Sequence, residues 1–296
     1  MQMKMRFFTD VSHEFRTPLT LISHAINEIA EDEDICTNKY INIIKHNTGK
    51  LSNMVNELLD FHRAEVKSAQ LRTTYTSIPE YVNDIYEEFK GWAEASDIHV
   101  NLQIDNPEIG MWIDPEHFGK ILSNILSNSI RYSHAGSEIN IQVAKGYMND
   151  IVPRYKDSFW NTKEMIPGEQ AIIRVSDTGI GMEKAVLPTI FKRFHQVQNN
   201  TGKQHTGSGI GLSLVKSLIE LHHGGIIISS KPDAGTEVII ALPISDTYLA
   251  KEEKIEESTF VLKDYLSNYA VEYEPLEMEE TTAIYMEGKP TILLVD

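Results

Sequence analysis

The chain has 296 residues, of which 41% are hydrophobic and 24% charged, with 17 Gly and 11 Pro. That composition belongs to a globular protein, excludes collagen, extended disorder and a disulfide scaffold, and gives room for two domains of ordinary size. With 27 basic against 43 acidic residues and a net charge of −16, the chain repels phosphate backbones and shows no basic patch to offset this, so direct nucleic-acid binding is not expected.

No stretch reaches the roughly 18 consecutive apolar residues that span a bilayer, and Met1 to Asp10 lacks the apolar core of a secretion signal. A single cysteine, Cys36, fits a reducing compartment, so a soluble cytoplasmic fragment is expected.

Along the chain, Phe8, Val11, Phe15, Leu19, Ile22, Ile26 and Ile29 recur at spacings of three and four residues. Ile44, Leu51, Val55, Leu58 and His62 repeat the pattern. This predicts two long amphipathic helices joined by the polar turn Glu31 to Asn38, an antiparallel hairpin over residues 1–72. Two helices alone bury little, so the hairpin is expected to pair with its own copy as a four-helix bundle, a homodimer. A hairpin packed on the rest of its own chain is the alternative.

After Gln70 helices and strands mix. Helices are predicted over Ile78 to Ala95, Asp114 to Tyr132 and Ser208 to His223. Strands are predicted over Ile98 to Ile104, around Ile139 to Val143 and over Ala171 to Ser176, with a hairpin of Gly225 to Lys231 and Glu237 to Leu242 around Pro232 to Gly235. The fold class is α plus α/β: the helical hairpin, then an α+β sandwich over 78–245 with a mostly antiparallel sheet. Gly146 to Gly168 reads as a long ordered insertion. His222 and His223, just before Gly224, are expected to meet the negative end of a helix dipole. Asp246 to Lys289 carries 12 acidic and 4 basic residues, half the net charge, and reads as an acidic linker. Residues 290–296 read as one buried strand ending in Asp296.

Two glycine clusters carry chemistry. Asp177-Thr178-Gly179-Ile180-Gly181-Met182 follows a strand, and Gly207-Ser208-Gly209-Ile210-Gly211-Leu212 opens a helix. Glycines let a backbone approach phosphate closely, and helix N-termini attract anions. A tight turn needing positive φ is an equal reading of either cluster alone. A Rossmann fingerprint is excluded by the antiparallel sheet. Asn124 and Asn128, at i and i+4, share one helix face, with Arg131 and Tyr132 one turn on. That face is either solvated surface or a wall of amides; Mg²⁺ prefers oxygen ligands, so an Asn carbonyl plus nucleotide phosphates would suit it.

In this order the Asn helix and the two glycine clusters resemble the ATP-binding domain of sensor histidine kinases, in the wider fold shared with gyrase-type and chaperone ATPases. The resemblance covers Ile78 to Ile244, including a Phe box at Phe191 to Phe194. It implies that Asn124, Asn128, Arg131 and Tyr132 line an ATP site, that Asn128 holds Mg²⁺, and that Asp177 accepts the adenine amino group. It further implies that Gly179, Gly181, Gly207, Gly209 and Gly211, with Leu212, shape the phosphate pocket. Gly235-Thr236 resembles the last box of the family, and Lys192 to Thr206 would be a mobile lid, with any of Lys192, Arg193, Lys203 and His205 available to the phosphates.

Ser12-His13-Glu14-Phe15-Arg16-Thr17-Pro18-Leu19 resembles the phospho-acceptor box of the same kinases. With Phe8 at heptad position a, Val11 is d and His13 falls at f, pointing away from the seam. The resemblance implies that His13 accepts the phosphoryl group. Glu14 would hold the donor ring nitrogen and stabilise positive charge as attack proceeds. Thr17, on the face of His13, would position water for dephosphorylating the partner, and Pro18 would bend the helix beyond the site.

Lys289 to Asp296 resembles the first strand of a response-regulator receiver domain, which implies a hybrid kinase with a receiver fused behind the linker. Any membrane link would run through a sensor region ahead of Met1. The reading is an autophosphorylating protein histidine kinase of a two-component phosphorelay. Its rivals are a catalytically silent nucleotide-sensing dimerisation module and a gyrase- or chaperone-type ATPase. The latter would need a hydrolytic carboxylate on the Asn helix, where Glu116 comes too early.

Overall fold

The computed structural model describes residues 15–26, 29, 40–45, 47–49, 51–52, 54–55, 59, 70–162, 165–192, 209–256, 258, 260–263 and 265–266. His13, Glu14, Arg193, Gly207, the turn over 31–38 and the strand expected at 290–296 lie outside them.

In the N-terminal region, residues 15–26 are helical through Pro18, as are 40–45 and the described residues between 47 and 59. Ala25, Asn47 and Met54 are buried, whereas Leu19, Ile26 and Leu59 are each 51% exposed.

The second region is a sheet with helices on one face. Helix α1 is Ile78–Ala95; Pro79 sits in its first turn, where a missing N–H costs nothing, and Ile78, Val82, Ile85, Phe89 and Ala93 form its buried stripe. Helix α2 is Pro115–Arg131, capped by Asp114, whose Oδ1 accepts from the His117 N–H at 3.2 Å. Helix α3 is Gly211–Leu221 and buries Leu214, Val215, Leu218 and Ile219.

The strands are β1 (Thr74–Ser77), β2 (His99–Ile104), β3 (Gly110–Ile113), β4 (Glu138–Gly146), β5 (Ser158–Asn161), β6 (Gln170–Asp177), β7 (Gly225–Lys231) and β8 (Gly235–Pro243). β1 and β3 make a two-stranded antiparallel ribbon, and the main sheet runs β2-β4-β6-β8-β7-β5. Only β2 and β4 pair in parallel, with Val100 opposite Ile139; the other neighbours are antiparallel, as expected for the α+β class.

Alternate residues decide which face is buried against what. Ile139, Ile141 and Val143 on β4, Ile173 and Val175 on β6, and Ile228 and Ile240 on β7 and β8 join the core beneath the three helices. Ile172, Ile227, Ile239 and Ala241 point the other way and pack with Met148, Ile151 and Met165 of the insertion. Both faces of β7 and β8 are therefore dry, which explains their unbroken apolar runs. The insertion supplies β5, a sixth strand at the edge beside β7.

Two expectations change. The acidic segment does not start as a solvated joint at Asp246. The Thr73 N–H donates to the Glu253 carbonyl at 2.7 Å and the Ile255 N–H to the Thr73 carbonyl at 2.9 Å, Leu262 packs on the main core, and Leu266 is wholly buried in it. A count of charges overlooks these few apolar anchors. Likewise His222 is not a charged residue at a helix end. It is 1% exposed, its Nδ1 lies 2.7 Å from the Leu218 carbonyl, and its pKa is lowered to about 4, first by burial and then by His117. Desolvation here outweighs the dipole.

Candidate nucleotide-binding site

Four pieces distant in sequence meet at one end of the sheet: the C-terminal half of α2, the loop after β6, the start of α3 and the β7–β8 turn. Asp177 ends β6 and is 7% exposed. Its Oδ1 accepts the Gly179 N–H at 2.9 Å and the Thr236 N–H at 3.0 Å. Burial raises its pKa; the hydrogen bonds from Gly179 and Thr236 and one from Ser129 pull the other way. A carboxylate held this rigidly, with one oxygen committed to backbone donors, presents its other oxygen as an acceptor of fixed direction.

The loop after Asp177 rests on α2: the Ile180 N–H donates to the Tyr132 carbonyl at 3.0 Å. Gly181 has φ +63°, and a Cβ there would collide with the Lys231 carbonyl, so only glycine fits. The Met182 N–H donates to Ser230 Oγ at 2.8 Å, and Ser230 donates to the Gly235 carbonyl at 2.8 Å. Loop and turn are thus stitched into one wall.

The two asparagines of α2 behave differently. Asn124 is buried, its Nδ2 donates to the Lys120 carbonyl at 2.9 Å, and its Oδ1 lies where a Cβ on Gly211 would collide with it. Asn124 therefore sets how closely α3 approaches α2, and Gly211 permits it. Asn128, Arg131 and Tyr132 are only half-buried, one turn further towards Asp177. An Asn amide oxygen is a hard donor of the kind Mg²⁺ accepts.

Helix α3 begins after Gly209, at φ +64°, with Ile210 as its N-cap. An isoleucine side chain has no acceptor for the first-turn N–H groups, which suits this end to an anion. Gly209, Gly211 and Leu212 lie here, Thr236 stands across the wall, and Lys192 is exposed at the end of the segment that follows Met182. Thr17 is exposed on its own helix. Sequence reasoning missed Ser129 and Ser230, ordinary serines whose partners become neighbours only when α2, β6 and β7 assemble.

Residues 113–246 match the family of Histidine kinase-, DNA gyrase B-, and HSP90-like ATPases, and residues 3–66 match the His Kinase A (phospho-acceptor) domain. The chain carries the two-domain core of a sensor histidine kinase. It is 29% identical over 304 residues to Histidine kinase P4 of Formosa agariphila, covering 100% of this chain and 20% of that protein. It is 29% identical over 256 residues to Hybrid signal transduction histidine kinase D of Dictyostelium discoideum, covering 85% of this chain and 16% of that one. The chain thus spans a fifth or less of these relatives. Histidine kinase ThkA, solved in complex with response regulator protein TrrA, aligns with TM-score 0.59 and 21% identity over 81% of this chain and 61% of its own, a likeness of fold. The histidine-kinase core places Asp177 and the two glycine clusters in an ATP-binding domain. Among the described residues no helix is long and apolar enough to cross a membrane.

Proposed function

We propose that this chain autophosphorylates: ATP bound with Mg²⁺ between α2, the Asp177 loop and the start of α3 donates its γ-phosphoryl group to His13 of a homodimeric hairpin. The observation that carries the proposal is the buried Asp177 carboxylate, fixed by Gly179 and Thr236 beside the half-buried Asn128, in a chain that also holds a phospho-acceptor domain. That domain also argues against a plain gyrase- or chaperone-type ATPase. A silent nucleotide sensor would have no use for His13 and Glu14 together.

Asp177 accepts the adenine amino group and selects the base. The first-turn amides of α3 receive phosphate oxygens, with Lys192 and Arg193 as charges at the margin. Asn128 holds Mg²⁺, which, when bound, neutralises charge on the phosphates. At the acceptor, a His13 ring nitrogen uses its lone pair to form the N–P bond while the bond from the γ-phosphorus to the bridging oxygen breaks and ADP leaves. Glu14 holds the other ring nitrogen's proton and balances the positive charge. Thr17 then serves the reverse duty, orienting water for dephosphorylation of the partner. The phosphoryl group passes from His13 to an aspartate of a receiver domain, fused beyond Asp296 in a hybrid parent. In that parent the chain lies on the cytoplasmic side of an inner membrane.

Incubation with γ-labelled ATP should place acid-labile, base-stable label on the chain. His13→Gln should abolish it with ADP affinity unchanged, and Glu14→Gln should slow it roughly 10²–10⁴-fold. Persistent label in His13→Gln sinks the assignment.

A further inference from the structure

The insertion between β4 and β6 does more than cover the second face of the sheet. Four of its contacts land on the wall that carries Asp177. Tyr155 Oη donates to the Ala234 carbonyl at 2.6 Å, in the β7–β8 turn. The Asp157 carbonyl accepts the Ser230 N–H at 3.1 Å, and Ser230 is the residue that ties Met182 to Gly235. The Asp157 carboxylate meets Lys184 Nζ at 3.1 Å, and the Phe159 ring lies 5.3 Å from that of Phe191. Trp160, its neighbour on β5, faces outward and is 42% exposed.

We infer that this insertion is a brace for base recognition, with Tyr155 as a positioning residue for Asp177. The path is short. Tyr155 holds Ala234, Gly235 follows, and Thr236 gives its N–H to Asp177 Oδ1 at 3.0 Å. Gly235 packs so closely that a Cβ there would collide with the Asp177 carbonyl. The turn has no slack, so releasing Ala234 shifts the Thr236 N–H and loosens the carboxylate that reads the base. A second tether fixes where Tyr155 stands: the neighbouring Arg154 N–H donates to Glu237 Oε2 at 2.7 Å, while Glu237 Oε1 pairs with Arg174 at 3.1 Å. A mere cover for Ile172, Ile227 and Ile239 would need apolar contact but no hydroxyl aimed at the turn.

The inference rests on the reading of Asp177 as acceptor of the adenine amino group, and the test separates the two. Calorimetry on the whole chain would compare ADP with inosine diphosphate, whose base lacks that amine. Tyr155→Phe should weaken ADP about 3- to 10-fold, the worth of one hydrogen bond, and leave inosine diphosphate within about twofold. It keeps the ring, so the melting temperature should move by only about 4 °C or less. Trp160→Ala should change neither nucleotide. Equal weakening of both by Tyr155→Phe, or none, overturns the brace while leaving Asp177 in place if Asp177→Asn still weakens ADP selectively. If Asp177→Asn weakens neither, or both alike, the reading of Asp177 fails and the brace fails with it.

Discussion

On the helical residues 15–26, Leu19, Leu21 and Ile26 keep 51%, 44% and 51% of their surface exposed, whereas Ile78, Ile85 and Phe89 on α1 are each at 0%. Both helices are amphipathic by the same spacing rule, so periodicity does not set them apart. The difference lies in what each faces: α1 has a six-stranded sheet beneath it, whereas among the described residues 15–59 none belongs to that core. An apolar stripe without a sheet to cover it is completed by association, which is why a dimer is proposed for one region and self-sufficiency for the other.

The contrast can be broken most sharply at Phe89. Phe89→Ala should cost about 3–5 kcal/mol by opening a cavity in the core of the ATP-binding domain. In two-step melting it should lower only the transition that ADP raises; equal loss in both transitions would mean that the two regions share one core. Next comes acid. With a folded pKa near 4 against 6.5 unfolded, neutral His222 contributes stability that is whole above pH 6.5 and is lost as pH falls through about 4. That loss amounts to at most ~3 kcal/mol. Denaturant titrations from pH 7 to 4 should show it in the wild type and a flatter profile in His222→Gln; matching profiles would refute the burial argument.

On the hairpin, Ile26→Lys should weaken self-association about 10- to 100-fold, since a charge replaces an interfacial apolar side chain. Sedimentation at several concentrations checks this, with ADP binding unchanged as the companion expectation. A variant that stays dimeric would mean the exposed stripe is not the seam. The smallest effect concerns Asp177. Its raised pKa means that the folded state favours the protonated acid, so its contribution to stability declines as pH rises through that pKa. Without nucleotide, Asp177→Asn should therefore be at least as stable as the wild type at pH 7, and any gap should narrow towards pH 4. A gap that widens on acidification contradicts the stated sign.

Helix α1 was legible to both its ends, Ile78–Ala95, because Pro79 marks its start and five buried residues keep helical spacing. The Asn helix and the glycine clusters were legible as a set, and their order along the chain pointed to the family. β1, β3 and β5 were not, because four residues carry too little alternation to stand out. The parallel pairing of β2 with β4 was equally hidden, since β3 and α2 lie between them in the chain and neither strand's own residues mark its direction. Tyr155 illustrates the limit for the site. Its partner Ala234 lies 79 residues away, and nothing local marks a tyrosine that will meet a turn carbonyl. The apolar anchors Leu262 and Leu266 were obscured by the acids around them.

The pairing of Thr73 with Glu253 and Ile255 brings the two ends of the ATP-binding domain to a single point and makes them run side by side in parallel. Topologically the domain is then a closed loop hung on one stalk. A pull applied between Arg72 and Glu256 would load that junction in shear, several bonds at once, before any load reached the sheet.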